Sequence, residues 1–218
     1  MKKEKTLKED IDNMQKGMLK NIPAEAIKEF QEAAKRLAAK NLEKNSLKKG
    51  DKIPEFSLLN IHGKNVSSKE LLKKGPLVIS FTRGSWCPYC NLEIVALQKA
   101  YPEIKKSGAN LISISPNVPE KYSEMETKHS LTFDLLSDIG NKIAKKFGLV
   151  FILDTQLKPF YKQMGIDIPG YNGDNSFELP FPATYVVDTN GTVIYSYVNS
   201  DYTSRAEPSE ILKVLKSI

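Results

Sequence analysis

The sequence predicts an α/β protein built around a largely parallel central sheet, and three observations predict it. From residue 77 onward, short β-rich apolar runs alternate with segments of helical periodicity, a pattern that requires crossovers between parallel strands. Near the end, Thr189-Asn190-Gly191 separates two further β-rich runs, and Asn-Gly in that setting signals a hairpin. The third observation is a Cys-x-x-Cys, Cys87 and Cys90, placed where the run from Pro76 to Phe81 hands over to a helix.

The elements follow in chain order. Leu7, Ile11, Met14 and Met18 recur at helical spacing, as do Ile27, Phe30, Ala34, Leu37 and Ala38 after Pro23. These predict two amphipathic helices joined around Asn21-Ile22-Pro23, with Pro23 in the first turn of the second. Their stripes must pack on the main domain or on a partner subunit. Charge and turn residues from Lys44 to Lys52 suggest a boundary; Ile53 to Leu59 then reads as extended, and His62-Gly63-Lys64 turns it back as a hairpin. His62 is accordingly read as a turn residue rather than a ligand. The alternation predicts a strand over 77–81, a helix over about 88–106, a strand over 110–115 and a helix over about 119–129. A short strand near 133–136 and a helix over about 139–147 follow. Ala183 to Asp188 and Thr192 to Val198 form the hairpin, and a last helix from Pro208 buries Ile211, Leu212 and Leu215.

Composition narrows the class. With 40% hydrophobic and 27% charged residues, the 218-residue chain reads as globular, and no apolar run is long enough for a transmembrane helix. The start Met1-Lys2-Lys3-Glu4-Lys5 is followed by Asp10 and Asp12 rather than by an apolar stretch, which favours the cytoplasm. Residues 1–50 carry 13 Lys+Arg against 8 Asp+Glu, and the remainder 19 against 18, so nearly all of the net +6 lies in the N-terminal segment. Interspersed acids make this a solvated helical face in preference to an arm for an acidic partner or membrane. No phosphate-binding glycine loop appears, and no nucleic-acid partner or cofactor is expected. With only His62 and His129 beside the two cysteines, a zinc site is disfavoured.

The cysteine pair carries the chemistry. Cys87 at a helix N-terminus has free backbone N–H groups and the positive dipole end aimed at its sulfur, and Pro88 suits the first helical position. Cys90, one turn later, can attack a mixed disulfide or sulfenic acid formed on Cys87. Lowering a thiol pKa from about 8.5 to about 6 raises the thiolate fraction at pH 7 roughly 30-fold, while nucleophilicity falls about 13-fold. The net gain is only about twofold, so fast reaction with a peroxide needs donors on its oxygens. Arg83 is the nearby cation, one of only three arginines against 29 lysines, and Thr82 is a nearby hydroxyl. Against these stand a surface or carboxylate-paired Arg83 and a Thr82 merely suited to a strand end. Trp86, the sole tryptophan, either shields the sulfur or is core. Phe181-Pro182 is a candidate cis bond that would keep a backbone edge open opposite the cysteines, with an ordinary strand-initiating proline as the alternative.

These residues resemble the redoxin branch of the thioredoxin superfamily, and specifically peroxiredoxin-like proteins of the AhpC/TSA type. The resemblance covers about residues 47–218 and is carried by Gly50 to Leu59, Phe81 to Cys90, Tyr171 to Asp174 with Glu178 to Pro180, Phe181 to Asp188, and Asp201 to Pro208. It implies a thioredoxin fold, with a mixed central sheet flanked by helices and a peroxiredoxin-like N-terminal hairpin, preceded by a helical extension over 1–46. It also implies a peroxidatic Cys87 and thioredoxin or a similar dithiol as electron donor. One departure stands out. Peroxiredoxins carry Pro-x-x-x-Thr-x-x-Cys, whereas here Ser80 and Gly84 stand at the proline and threonine positions, which leaves Thr82, Ser85 or neither to supply the hydroxyl. The leading expectation is a peroxidase that reduces hydrogen peroxide or organic hydroperoxides through a Cys87 sulfenic acid resolved by Cys90. Its rivals are a thiol-disulfide oxidoreductase acting on protein disulfides and a redox-switched interaction module. A homodimer is carried as an expectation.

Overall fold

The computed structural model describes residues 5–20 and 22–218; the segment Met1 to Glu4 and Asn21, the expected pivot between the first two helices, lie outside the described residues. Helix α1 (Leu7–Met18) starts on a reciprocal cap, in which Thr6 Oγ1 accepts from Glu9 N–H and Glu9 Oε2 accepts from Thr6 N–H. Helix α2 (Ala24–Ala39) follows, with Pro23 as the residue just before its first turn rather than within it. Both stripes find partners on the chain itself. Leu7 and Ile11 pack against Cys87, Tyr89 and Cys90, while Phe30 meets Phe160 and Tyr161 at ring separations of 6.3 and 5.7 Å.

Strands β1 (Ser57–Leu59) and β2 (Asn65–Ser67) form the expected antiparallel ribbon. His62 sits in its turn, where Asn60 Oδ1 accepts from the N–H groups of His62 and Lys64. Then come α3 (Ser68–Leu72), β3 (Leu77–Phe81), α4 (Pro88–Lys106), β4 (Asn110–Ser115), α5 (Pro119–His129) and β5 (Asp134–Ser137). Helix α6 (Lys142–Lys146) is shorter than its pattern predicts, since Asn141 enters it in the left-handed region after the turn at Gly140. Next are β6 (Val150–Ile152), α7 (Lys158–Gln163), α8 (Ile168–Asn172), β7 (Glu178–Pro180), β8 (Ala183–Val187), β9 (Val193–Val198) and α9 (Pro208–Leu215). Among the described residues no helix is long and apolar enough to cross a membrane.

The main sheet runs β5-β4-β3-β8-β9, and it is mixed: β3, β4 and β5 are parallel, but β8 returns antiparallel to β3 and β9 antiparallel to β8. A largely parallel sheet therefore does not form, because the closing hairpin pairs on the other side of β3. Alternation along the strands divides the core in two. Leu77, Ile79, Phe81, Ala183, Tyr185 and Val187 belong to one apolar cluster, while Val78 and Val186 pack with Ile94, Leu97 and Ile211 from α4 and α9. Period 2 also turns Ser80 and its cross-strand partner Thr184 toward the α4 face. Those two hydroxyls prepare the floor of the site.

Candidate active site

Strand β3 ends at Phe81, and Thr82 to Trp86 carry the chain to Cys87, the N-cap residue of α4 with φ −86° and ψ 115°. Pro88 occupies the first turn, where a missing N–H costs nothing. The approach loop is pinned from outside. Asn117 Oδ1 accepts from Ser85 N–H at 2.8 Å and from Ser85 Oγ at 3.2 Å, and Asn91 Nδ2 donates to the carbonyls of Ser85 and Cys87 at 2.7 and 2.8 Å. Both cysteines are reduced and buried, at 1% and 0% exposure.

Gly84 explains the missing family threonine. Its φ is +147°, and a Cβ there would lie 2.5 Å from Trp86 Nε1 and 2.9 Å from both side-chain polar atoms of Asn117. Installing the family residue by Gly84→Thr is expected to cost stability, about 2–5 kcal/mol from backbone strain and overpacking together. A urea titration checks this; a variant as stable as the parent would show that the loop has room.

Arg83 is 3% exposed, and its Nη2 donates to Tyr161 Oη at 2.6 Å. The guanidinium lies 4.4 Å from the Tyr202 ring centre and 5.0 Å from that of Trp86. Among the described residues no carboxylate pairs with it, and its buried Nε has no hydrogen-bond partner. Because Tyr161 Oη accepts from Arg83, the tyrosine proton stays free to be donated.

Beneath the cysteines lies a second cation. Arg205 donates from Nη2 to Cys90 Sγ at 3.4 Å and from Nη1 to the carbonyls of Tyr202 and Ser204. Its Nε stands 2.7 Å from Glu93 Oε2 without the alignment of a hydrogen bond, so this contact is an ion pair, 1% exposed on both sides. Glu93 Oε1 accepts from Ser80 at 3.1 Å and Thr184 at 3.2 Å. Ser80, at the family's proline position, thus serves the buried carboxyl.

Electrostatics separates the sulfurs. Burial pushes the Cys87 thiol up, but the hydrogen bond from Cys90 and the charges of Arg83 and Arg205 outweigh it and lower Cys87 to about 5. Cys90 moves the other way, raised well above an ordinary thiol by burial and by the adjacent Cys87 thiolate. Burial also lifts Glu93 to about 7 despite Arg205.

Not every sequence candidate meets the sulfur. Cys87, Arg83 and Trp86 line one cavity with Tyr161 and Tyr202. Thr82 is buried, and its hydroxyl sits 3.4 Å from Tyr122 Oη, which donates to Ser113. Ser85 is bound to Asn117, and neither hydroxyl lines the cavity beside Cys87. The Phe181–Pro182 bond is trans, not cis: Pro182 leads straight into extended β8, whose pairing starts at Ala183, so no reversal is required there. Sequence reasoning missed Tyr161, Tyr202, Glu93 and Arg205. The scarcity that singled out Arg83 applied equally to Arg205, and Tyr202 shares with Arg205 the block Asp201 to Pro208 that carries the resemblance; Tyr161 and Glu93 carry no local signal.

A family model, the AhpC/TSA family, matches residues 49–196. Chloroplastic peroxiredoxin Q of Gentiana triflora is 34% identical over 169 residues, covering 78% of this chain and 67% of that protein. The Sedum lineare protein of the same name is 32% identical over 181 residues, covering 81% and 84%. Among solved structures, peroxidoxin BcpB from Mycobacterium tuberculosis superposes with a TM-score of 0.62 at 22% identity, over 79% of this chain and 98% of that one. Peroxiredoxin Q of Xanthomonas campestris gives 0.56 at 18% identity, over 74% and 90%. These structures share with this chain the thioredoxin fold.

Proposed function

The chain belongs to the AhpC/TSA family and is a thiol-dependent peroxidase, and from that premise we propose that Cys87 is the attacking sulfur, Cys90 the resolving one and Arg83 the activating cation. One observation carries the assignment: a buried arginine, paired with no carboxylate among the described residues and with an unused N–H, shares a cavity with a thiol whose pKa is lowered at a helix N-terminus. In such a setting a fixed charge acts on the thiolate and on the developing negative charge of the leaving oxygen.

The Cys87 thiolate attacks the terminal oxygen of a hydroperoxide. An S–O bond forms as the O–O bond breaks, sulfur gives up two electrons, and the leaving oxygen takes a proton and departs as alcohol or water. The Cys90 thiol then attacks the sulfenic acid; an S–S bond forms, and the hydroxyl leaves with the Cys90 proton as water. A thioredoxin-like dithiol returns both thiols by exchange. Both sulfurs lie beneath Leu7 and Ile11, so this last step depends on α1 lifting from α4. A small hydroperoxide needs no such opening, whereas a protein disulfide would, and this favours the peroxidase over the disulfide oxidoreductase.

Stopped-flow mixing of reduced protein with hydrogen peroxide, read by Trp86 fluorescence, tests the reading. A rate constant well above that of a free thiol is expected, and one no greater would sink it. Cys90→Ser should keep one turnover and trap the sulfenic acid; loss of that first turnover would overturn the division of roles.

A further inference from the structure

Gly84 leaves the site without the family's threonine hydroxyl, and the hydroxyls nearest to it in sequence do not stand in for it. Thr82 reaches Tyr122 and Ser85 reaches Asn117, and neither lines the cavity that Cys87 and Arg83 share. Tyr161, which does line it, has its hydroxyl tied to the cation: Arg83 Nη2 donates to Tyr161 Oη at 2.6 Å in a buried bond. That bond uses one lone pair of the oxygen and leaves the O–H, which no acceptor takes among the described residues. The other hydroxyls of the cavity are placed differently. Tyr202 turns its ring face to the guanidinium, Tyr89 packs on the Tyr202 ring at 5.6 Å, and Thr203 Oγ donates to Asp201.

The glycine that removes the threonine also seats the tyrosine. A Cβ at Gly84 would lie 2.5 Å from Trp86 Nε1, so the indole fills the room a larger residue would need, and its ring meets that of Tyr161 edge-on at 5.5 Å. Phe30 reaches the same phenol from α2 at 5.7 Å. Two rings and one hydrogen bond thus fix Tyr161, which is buried on α7. Burial raises its pKa above the ordinary 10.0, so the hydroxyl keeps its proton at neutral pH.

We propose that Tyr161 is a catalytic residue of this site, donating its hydroxyl proton to the leaving oxygen of the hydroperoxide in place of the absent threonine hydroxyl. This rests on the peroxidase reading above and deepens it. The Cys87 thiolate forms the S–O bond, and the electron pair of the breaking O–O bond passes to the leaving oxygen. That oxygen takes the Tyr161 proton and departs as alcohol or water; solvent then returns a proton to the tyrosinate, whose charge Arg83 balances meanwhile. An O–H whose oxygen already accepts from a guanidinium is polarised into a stronger donor, so the buried pair acts as one device. Both members are fixed before the peroxide arrives, which is what stabilising a developing oxyanion requires.

Tyr161→Phe in the full chain removes the donor and keeps the ring. Its second-order rate constant with hydrogen peroxide at pH 7 is expected to fall about 10–100-fold, at the low end of the usual cost of losing a preorganised donor because Arg83 remains. Alkylation of Cys87 by iodoacetamide expels iodide and builds no charge on oxygen, so its rate should change by less than about threefold. The Cys87 pKa, read from thiolate absorbance, should stay where it is. Tyr161→Met gives the same comparison should Tyr161→Phe fail to fold. A peroxide rate within about threefold of the parent would overturn the proposal. So would peroxide and alkylation rates that fall together, or a Cys87 pKa that climbs, since Tyr161 would then serve only to hold Arg83. Failure of the peroxidase reading itself looks different: the parent would react with hydrogen peroxide no faster than a free thiol.

Discussion

Arg83→Met is expected to lower the second-order rate constant with hydroperoxide at pH 7 by about 10²–10³-fold, the usual cost of removing one preorganised donor from developing negative charge. Methionine keeps apolar contact with Trp86 and Tyr202, so the loss isolates the charge and its N–H groups. Thiol acidity alone cannot account for that size, because a lower pKa trades thiolate fraction against nucleophilicity and nets only about twofold. The pH profile carries a second signature. Arg83 is among the charges that hold Cys87 at about 5 against burial, so the parent rate should be flat between pH 6 and 8. In the variant the thiol moves up and the rate should climb with pH across that window. The sign for stability agrees: a depressed thiol pKa favours the fold above the ordinary value of 9.0, and this contribution is lost as pH falls through about 5. A variant within threefold of the parent, with a flat profile, would remove Arg83 from the mechanism.

Local patterns made the strand and helix that flank the cysteines readable. The apolar run 77–81, then Cys-Pro, then a long helical period set β3 and α4 at their observed limits, because burial and capping there depend on neighbouring residues. Between α6 and β8, periodicity was silent for the opposite reason. β6, α7, α8 and β7 are three to six residues long, too short for either period to register, and they hold their shape through long-range contacts such as Phe30 with Phe160. The site divides the same way. Cys87, Cys90 and Arg83 share one local motif and were legible together. Tyr161 arrives from α7, and Tyr202 and Arg205 from the segment before α9. Glu93 lies on α4 itself, yet its role exists only because Ser80, Thr184 and Arg205 converge on it.

That convergence makes Arg205→Met the other large effect, on stability. Removing one member of a buried pair costs about 3–5 kcal/mol when the remaining charge cannot be neutralised. Here the remaining group is a carboxyl already raised from 4.5 to about 7, so it can escape the penalty by holding a proton. A raised carboxyl pKa means that the folded state binds this proton more tightly than the unfolded chain does. Its contribution is complete below pH 4.5 and is lost as pH rises through about 7. Arg205 limits that loss, because it favours the ionised form. Without it the carboxyl stays protonated further up the scale, and the variant keeps losing stability where the parent has levelled off. The gap between parent and variant should therefore be about 1–3 kcal/mol at pH 6, reflecting carbonyls left without donors, and widen to the full value by pH 8–9. Adding Glu93→Gln to Arg205→Met should recover much of the loss at high pH and little at low pH, since it removes the stranded charge. Denaturant midpoints of the three proteins at two pH values decide the matter. A gap that does not widen with pH, or a double variant no more stable than Arg205→Met alone, would mean that the pair is not what holds Arg205 against Cys90.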